Sequence, residues 1–134
     1  MLAKVAWPVH TERLSIRPAR SDDADATWPF LRLDAVAERA RGVLAELGWV
    51  LHPDYAGHGY ATEAVHALIR ICFEDLRLRR VTANCFADNV SSWRLMERVG
   101  MRRELATVRD ALHRSGRWLD GFGYALLADE WRNA

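Results

Sequence analysis

Runs with a period of two alternate along the chain with runs of helical period, and together they predict its secondary structure. RLSIRP alternates apolar and polar residues, which predicts a strand that ends at Pro18. VLAELGWVL predicts one continuous buried strand over 43–51. RVTANCF alternates again, and two more strand-like runs, 104–109 and 122–127, flank the polar loop HRSG.

Apolar residues at helical spacing predict two amphipathic helices. ATEAVHALIRICFEDLRL is the longer, and its apolar face comprises Ala61, Ala64, Val65, Leu68, Cys72 and Leu76. Asn89 is placed to cap VSSWRLMERV, which ends at Gly100. Nearer the beginning of the chain, Ser21 predicts a helix start, but Pro29 interrupts the pattern. DAVAERARG then favours a short helix that ends at Gly42.

The order strand, glycine turn, helix, strand, helix and hairpin predicts an α+β fold with a mixed sheet. Its middle strands should be parallel and its edge strands antiparallel. The chain has 134 residues and half of them are apolar, which is enough for one hydrophobic core. We therefore expect a single domain over 1–134.

Composition excludes several classes of partner. Lys and Arg total 19 against 18 for Asp and Glu, so the net charge of +1 gives no electrostatic case for nucleic-acid binding. Residues 1–10 lack the apolar run of a signal peptide, and no run approaches a membrane span, so we expect a cytoplasmic protein without a membrane partner. Cys72 and Cys85 lack metal or redox spacing and are expected to be buried thiols. His58 and His66 are not expected to bind a metal.

A glycine turn lies inside HPDYAGHGYATEA, between a predicted strand and a predicted helix. Gly57 and Gly59 allow several backbone N–H groups to converge on one point. The first turn of the helix adds free N–H groups and its dipole, and Thr62 adds a hydroxyl. This arrangement favours phosphate binding; the alternative is a turn that only packs the helix onto the sheet.

Two other phosphate motifs fit poorly. A P-loop requires Gly-Lys-Ser/Thr, but Tyr60 follows Gly59. A dinucleotide fingerprint requires a small residue where Thr62 stands and an acidic residue at the end of the next strand. That strand ends at Phe86, and Asp88 comes later than the motif expects.

Four linked motifs together resemble the GCN5-related N-acetyltransferases (GNAT), in particular the branch that acetylates the N-termini of ribosomal proteins. They are TERLSIRP, ELGWVLHPDYAGHGYATEAV, RVTANCFADNVSSWRLMERVGM and GYALLADEW, and the resemblance runs from Thr11 to Arg132. It implies a mostly antiparallel central sheet with two parallel middle strands splayed around the cofactor, and flanking helices. It also implies acetyl-CoA as co-substrate and an amine acceptor, and it is compatible with a homodimer.

By the same resemblance, the glycine turn holds the pyrophosphate of acetyl-CoA. The family motif is Gln/Arg-x-x-Gly-x-Gly/Ala; Gly59 and Ala61 match it, but Ala56 replaces the initial Gln or Arg. Backbone groups make most of these contacts, so we expect a weakened site rather than a lost one. The residues implied here are Gly57, His58, Gly59, Tyr60, Ala61 and Thr62.

The resemblance also assigns the rest of the cofactor site. Val50, Leu51 and His52 would run beside the pantetheine arm. Asn89 would hydrogen-bond that arm and Ser92 would lie near the thioester sulfur; helix capping is the alternative for both.

Acetyl transfer requires a base for the attacking amine and a donor for the leaving thiol. Glu46 and His52 share a face of the central strand if it contains no bulge, and both are candidate bases. Glu46 is preferred because His52 precedes Pro53, where the chain turns away; a structural carboxylate is the alternative. Ser92 is the candidate donor to the thiol.

The region 28–44 departs from the family, which usually has two helices and a hairpin there. This chain has only 14 residues from Leu31 to Leu44. Without the hairpin, the central strand is expected to expose an unpaired edge. A natural shortening, a partner chain over that edge, or an internal segment omitted between Phe30 and Ala40 would each explain the difference.

Three functions follow from these motifs. The first is an acetyl-CoA-dependent N-acetyltransferase acting on a protein N-terminus or a small-molecule amine. The second is a catalytically idle acyl-CoA-binding module, and the third is a nucleotide-binding domain that uses the same glycine turn.

Overall fold

A computed structural model describes residues 4–18, 20, 31–32, 37–39, 44–51 and 53–134. The strands within these residues are β1 (Val9–His10), β2 (Ser15–Ile16), β3 (Leu31–Arg32), β4 (Ala37–Arg39), β5 (Leu44–Leu47), β6 (Val50–Leu51), β7 (Arg80–Phe86), β8 (Arg102–Leu112) and β9 (Trp118–Leu127). The α-helices are α1 (Tyr60–Arg70), α2 (Val90–Arg98) and α3 (Ala128–Arg132).

The main sheet has the order β4-β5-β7-β9-β8, which confirms the predicted mixed α+β fold. β5 and β7 are parallel, and the other neighbours are antiparallel. β1 pairs with β2, and β3 pairs with β6, in two small antiparallel sheets. The terminal hairpin β8–β9 is confirmed.

The continuous strand predicted over 43–51 is wrong. β5 pairs with β7 from Leu44 to Leu47, the chain then leaves the sheet at Gly48 and Trp49, and β6 pairs with β3 instead. Glycine packs no side chain against a pleated surface, so the ladder is weakest at this point. The last three residues of β7, 84–86, pair with β9 beyond the end of the β5 ladder. The two parallel strands are therefore splayed, as the family resemblance implied.

Two expectations about the segment 31–42 are also wrong. The piece expected to favour a helix contains β4, and β4 pairs with β5 from Ala37↔Glu46 to Arg39↔Leu44. Consequently β5 does not present an unpaired edge. Intrinsic helix propensity is a weak preference, and pairing with a strand already in place outweighs it. The helix start predicted at Ser21 lies outside the described residues.

α1 is anchored to the core through its predicted apolar face. Ala64 and Val65 are fully buried and Ala61 is half-buried. The helix continues into a π-helical turn, Ile71–Asp75, which buries Cys72. Burying one Val or Leu side chain contributes about 1.5–3 kcal/mol, so packing rather than propensity fixes α1. The start of α1, next to the glycine turn, is fixed with it.

The hairpin β8–β9 contains two register shifts, the second between Thr107 and Ala111. Arg109 adopts a left-handed conformation there, with φ of 47°. Its backbone N–H donates to Asp120 Oδ1 at 2.8 Å. Such a bulge redirects the side chains of an edge strand.

Candidate active site

The glycine turn has the conformation that only glycine adopts at little cost. Gly57 and Gly59 have φ values of 81° and 76°, in the left-handed region. Gly59 immediately precedes α1, and the N–H of Glu63 donates to its carbonyl at 3.0 Å as the first bond of the helix. The backbone N–H groups of residues 60–62 therefore have no acceptor within the helix. Residues 54–59 are exposed and 60–62 are half-buried, so the glycine turn itself is open to solvent.

The turn between β1 and β2 holds the glycine turn in place. Glu63 accepts hydrogen bonds from the hydroxyl of Thr11 and from the backbone N and Nε of Arg13, the last two at 2.9 and 2.7 Å. Arg13 Nη1 also donates to the carbonyl of His58 at 2.7 Å. The Thr11 hydroxyl and then Arg13 lower the pKa of Glu63 to about 2. The sequence motifs did not predict these contacts of Glu63.

α2 also contacts the start of α1. Arg98 Nη1 donates to Thr62 Oγ1 at 3.0 Å. The Thr62 hydroxyl thus accepts from a cation, while its own hydrogen remains available for donation. Arg98 adds positive charge near the first turn of α1, a second feature that sequence reasoning missed.

A cleft of about 470 Å³ lies at the end of β7, between the break after β5, the start of α2 and the hairpin β8–β9. Its lining residues are Trp49, Asn84, Cys85, Phe86, Asn89, Ser92, Leu105, Thr107, Asp110, Ala111, Gly121, Phe122 and Gly123. The structure therefore brings the predicted residues Asn89 and Ser92 together. Oδ1 of Asn89 accepts from the N–H of Ser92 at 3.3 Å, which confirms that Asn89 caps α2. The cap uses this oxygen, and the amide nitrogen of Asn89 is a separate donor.

Glu46 lies beside this cleft, behind Asn84. Asn84 Nδ2 donates to Glu46 Oε1 at 2.9 Å, and Asn84 itself lines the cleft. Glu46 is half-buried in β5. The shared face predicted for Glu46 and His52 required an unbroken strand, and the chain breaks between β5 and β6. His52 lies outside the described residues.

Two glycines of β9 leave room for side chains of the neighbouring strands β7 and β8 that line the cleft. A Cβ on Gly123 would lie 3.1 Å from Asn84 Oδ1, and one on Gly121 would lie 2.8 Å from Thr107 Oγ1. Thr107 Oγ1 in turn donates to Asp110 Oδ1. Asp110 places a carboxylate on this wall of the cleft.

Comparison with known proteins identifies the family. The family model described as "Acetyltransferase (GNAT) domain" matches residues 29–102. The chain is 38% identical to the uncharacterized N-acetyltransferase YnaD of Bacillus subtilis (strain 168) over 86 residues, covering 64% of this chain and 50% of YnaD. It is 31% identical to the uncharacterized N-acetyltransferase p20 of Bacillus licheniformis over 131 residues, covering 98% of this chain and 70% of p20. The chain belongs to the GNAT acetyltransferase family.

A solved structure supports the same fold. The crystal structure of a GNAT-family acetyltransferase from Bacillus anthracis matches with a TM-score of 0.66 and 33% identity, over 74% of this chain and 57% of that one. The GNAT fold predicted from the motifs is therefore confirmed. The chain spans about half the length of YnaD.

The GNAT motifs predicted the glycine turn and the Asn89–Ser92 pair but not the residues that hold them. Thr11 and Arg13 belong to the first motif, TERLSIRP, yet their partner Glu63 is about fifty positions away along the chain. Across the described ranges, no group of His, Cys, Asp and Glu could hold a metal ion. No α-helix of the described chain is long and apolar enough to cross a membrane.

Proposed function

We propose that this GNAT chain is an N-acetyltransferase that transfers the acetyl group of acetyl-CoA to a primary amine. The observation that carries the proposal is the cleft in the splayed sheet. It has Asn89 and Ser92 on one wall and Asn84, next to Glu46, on another. A long, narrow acyl thioester can pass between the splayed strands and meet an amine from the opposite side.

The glycine turn fits the pyrophosphate of the cofactor. Backbone N–H groups of 57–62 surround an exposed helix start whose dipole favours an anion. Arg98 adds positive charge beside it, whereas the charge of Arg13 is balanced by Glu63. Val50, Leu51 and His52 are the proposed neighbours of the pantetheine arm, and the backbone polar groups of such a strand can hydrogen-bond its amides.

Two side chains, Glu46 beside the cleft and Ser92 within it, can assist the reaction. Glu46, oriented by Asn84, accepts the proton of the attacking amine through a bridging water. The new C–N bond forms as the C–S bond breaks. The hydroxyl of Ser92 donates a hydrogen bond to the departing thiolate, which is a good leaving group because its thiol has an ordinary pKa of about 8.5. The proton taken up by Glu46 then passes through water to solvent or to the thiolate.

The charge of the cleft agrees with an amine acceptor. Asp110 is a carboxylate, and the described lining residues include no Lys, Arg or His. An ammonium group approaching this wall is attracted, whereas an anionic acceptor is repelled. Protein N-termini and small-molecule amines both meet this requirement.

The test is turnover of acetyl-CoA with a panel of amines: peptides with a free N-terminus, polyamines and aminoglycosides. We expect release of CoA thiol together with the gain of one acetyl group by an acceptor. Glu46→Gln should lower kcat on the order of 10²-fold. Ser92→Ala should lower it about tenfold, because the thiol leaves readily.

Ser115→Ala is the control, since it removes an exposed hydroxyl in the turn between β8 and β9 whose partner is His113, outside the residues that line the cleft. It should keep wild-type kcat. If no amine in the panel is acetylated while CoA binds, the idle acyl-CoA-binding module replaces this proposal. Ala56, which lacks the Gln or Arg of the family motif, is the observation that favours that alternative.

A further inference from the structure

The turn between β1 and β2 is closed by its own hydrogen bonds. The backbone N of Thr11 donates to the carbonyl of Leu14 at 2.9 Å, and the N of Leu14 donates to the Thr11 hydroxyl at 3.0 Å. The Thr11 hydroxyl in turn donates to Glu63 on α1. These hydrogen bonds order the turn that contains Arg13, and the Arg13 side chain extends from it to the glycine turn.

Arg13 contacts the glycine turn and the helix start at several separate points. Its Nη1 donates to the carbonyl of His58, between the two glycines, and its Nε donates to Glu63 in the first turn of α1. Its guanidinium lies 4.6 Å from the centre of the Tyr60 ring. Its Nη2 would lie 3.3 Å from a Cβ on Gly59. One rigid, planar group thus spans the glycine turn and the start of α1.

Such a restraint matters because glycine is the most flexible residue. Gly57 and Gly59 can adopt either sign of φ, but the N–H groups converge on an anion in only one arrangement. Ala56 offers no long polar side chain that could restrain the turn from its other end. A turn that is already ordered before binding loses less conformational freedom when the ligand arrives.

We propose that Arg13 is a positioning residue that orders the glycine turn for phosphate and so selects CoA over unphosphorylated pantetheine. This inference rests on the proposed function only in its choice of CoA as ligand. Pantetheine lacks the pyrophosphate and does not reach the turn, so its affinity should not depend on Arg13. Lysine at this position keeps the charge and offers three donors, but its flexible ammonium lacks the rigid planar fork through which Arg13 contacts His58 and Glu63 together.

The experiment is isothermal titration of wild type and variants with CoA and with pantetheine. We expect Arg13→Met and Arg13→Lys each to raise the Kd of CoA about tenfold, the loss of one charge-assisted contact, and to leave the Kd of pantetheine within twofold. Arg70→Met is the matched control. Arg70 also pairs with a glutamate of the helical segment, Glu74, and its side chain is 43% exposed against 42% for Arg13. It should bind both ligands as wild type does.

Three results would overturn the inference. Equal weakening of both ligands would make Arg13 a residue of general stability. Wild-type affinity for CoA in Arg13→Lys would make charge, not position, the operative property. Absence of CoA binding by the wild type would remove the site itself. Failure of acetyl transfer with intact, Arg13-dependent CoA binding would instead overturn the proposed function and leave this inference standing.

Discussion

The carboxylate of Glu63 accepts from a hydroxyl, a backbone N–H and a guanidinium, all from the turn between β1 and β2. Each of these donors favours the ionised carboxylate, the Thr11 hydroxyl most. The side chain of Glu63 is 18% exposed, so solvent screens these bonds only in part. At the scale of single residues, the start of α1 is therefore held by charge-assisted hydrogen bonds as well as by packing.

This network predicts a specific dependence of stability on pH. The pKa of Glu63 is about 2 in the folded chain against an ordinary value of 4.5. A depressed carboxyl pKa adds stability that is complete above pH 4.5 and is lost as the pH falls toward 2. In urea titrations, Glu63→Gln should flatten the fall of unfolding free energy across that range, and Thr11→Val should flatten it in part. An unchanged slope in Glu63→Gln would contradict the network.

Among the secondary-structure elements, the break between β5 and β6, the end of β7, the start of α2 and the hairpin β8–β9 line the cleft together. β6 pairs with β3 instead of continuing the ladder that β5 makes with β7, and α2 begins after β7 with Asn89 as its cap. The same asparagine thus starts a helix and, in the proposed function, binds the pantetheine arm. These two roles use different atoms, since the cap uses Oδ1 and a ligand carbonyl would use the amide nitrogen.

Two substitutions separate these roles. Asn89→Asp keeps a good N-cap but removes the amide donor, so it should preserve the unfolding free energy and weaken CoA binding about tenfold. Asn89→Ala removes both the N-cap and the amide donor, so it should weaken CoA binding and also lower the unfolding free energy by about 1 kcal/mol. Urea unfolding and titration calorimetry measure the two effects. Wild-type CoA affinity in Asn89→Asp would reduce Asn89 to a helix cap.

For the whole molecule, we propose one GNAT-like domain over 1–134 in which 28–44 is shortened. β4 pairs with β5 and is the edge strand on this side of the main sheet. An acceptor wall built partly by this segment would be smaller than the family's usual one. An intact mass well above 15.3 kDa would instead show that the protein contains further residues, as an omission between Phe30 and Ala40 requires.

How much the sequence predicts depends on how local each interaction is. α1, α2 and the final hairpin follow from period, caps and turn residues within a short window, and all three are confirmed. The cap at Asn89 is readable because its partner, Ser92, is three positions away. The pairing of β3 with β6, and of Arg13 with Glu63, joins distant segments, and no local pattern encodes such choices.

The most direct test of the account is thermal unfolding with acetyl-CoA, CoA, ATP and NADH, each in turn. Ligand at 100 times its Kd stabilises the folded state by about 2.7 kcal/mol, which raises Tm by several degrees. Gly57→Ala and Gly116→Ala form a matched pair, because both glycines have positive φ and open space where a Cβ would stand. Only Gly57 belongs to the proposed site.

We predict a rise in Tm with acetyl-CoA and CoA but not with ATP or NADH. The rise should persist in Gly116→Ala and largely vanish in Gly57→Ala. A rise in Tm with ATP or NADH equal to that with CoA would favour a nucleotide-binding domain. No shift with acetyl-CoA or CoA, or the same shift in both glycine variants, would contradict the claim that the glycine turn holds the pyrophosphate of acetyl-CoA.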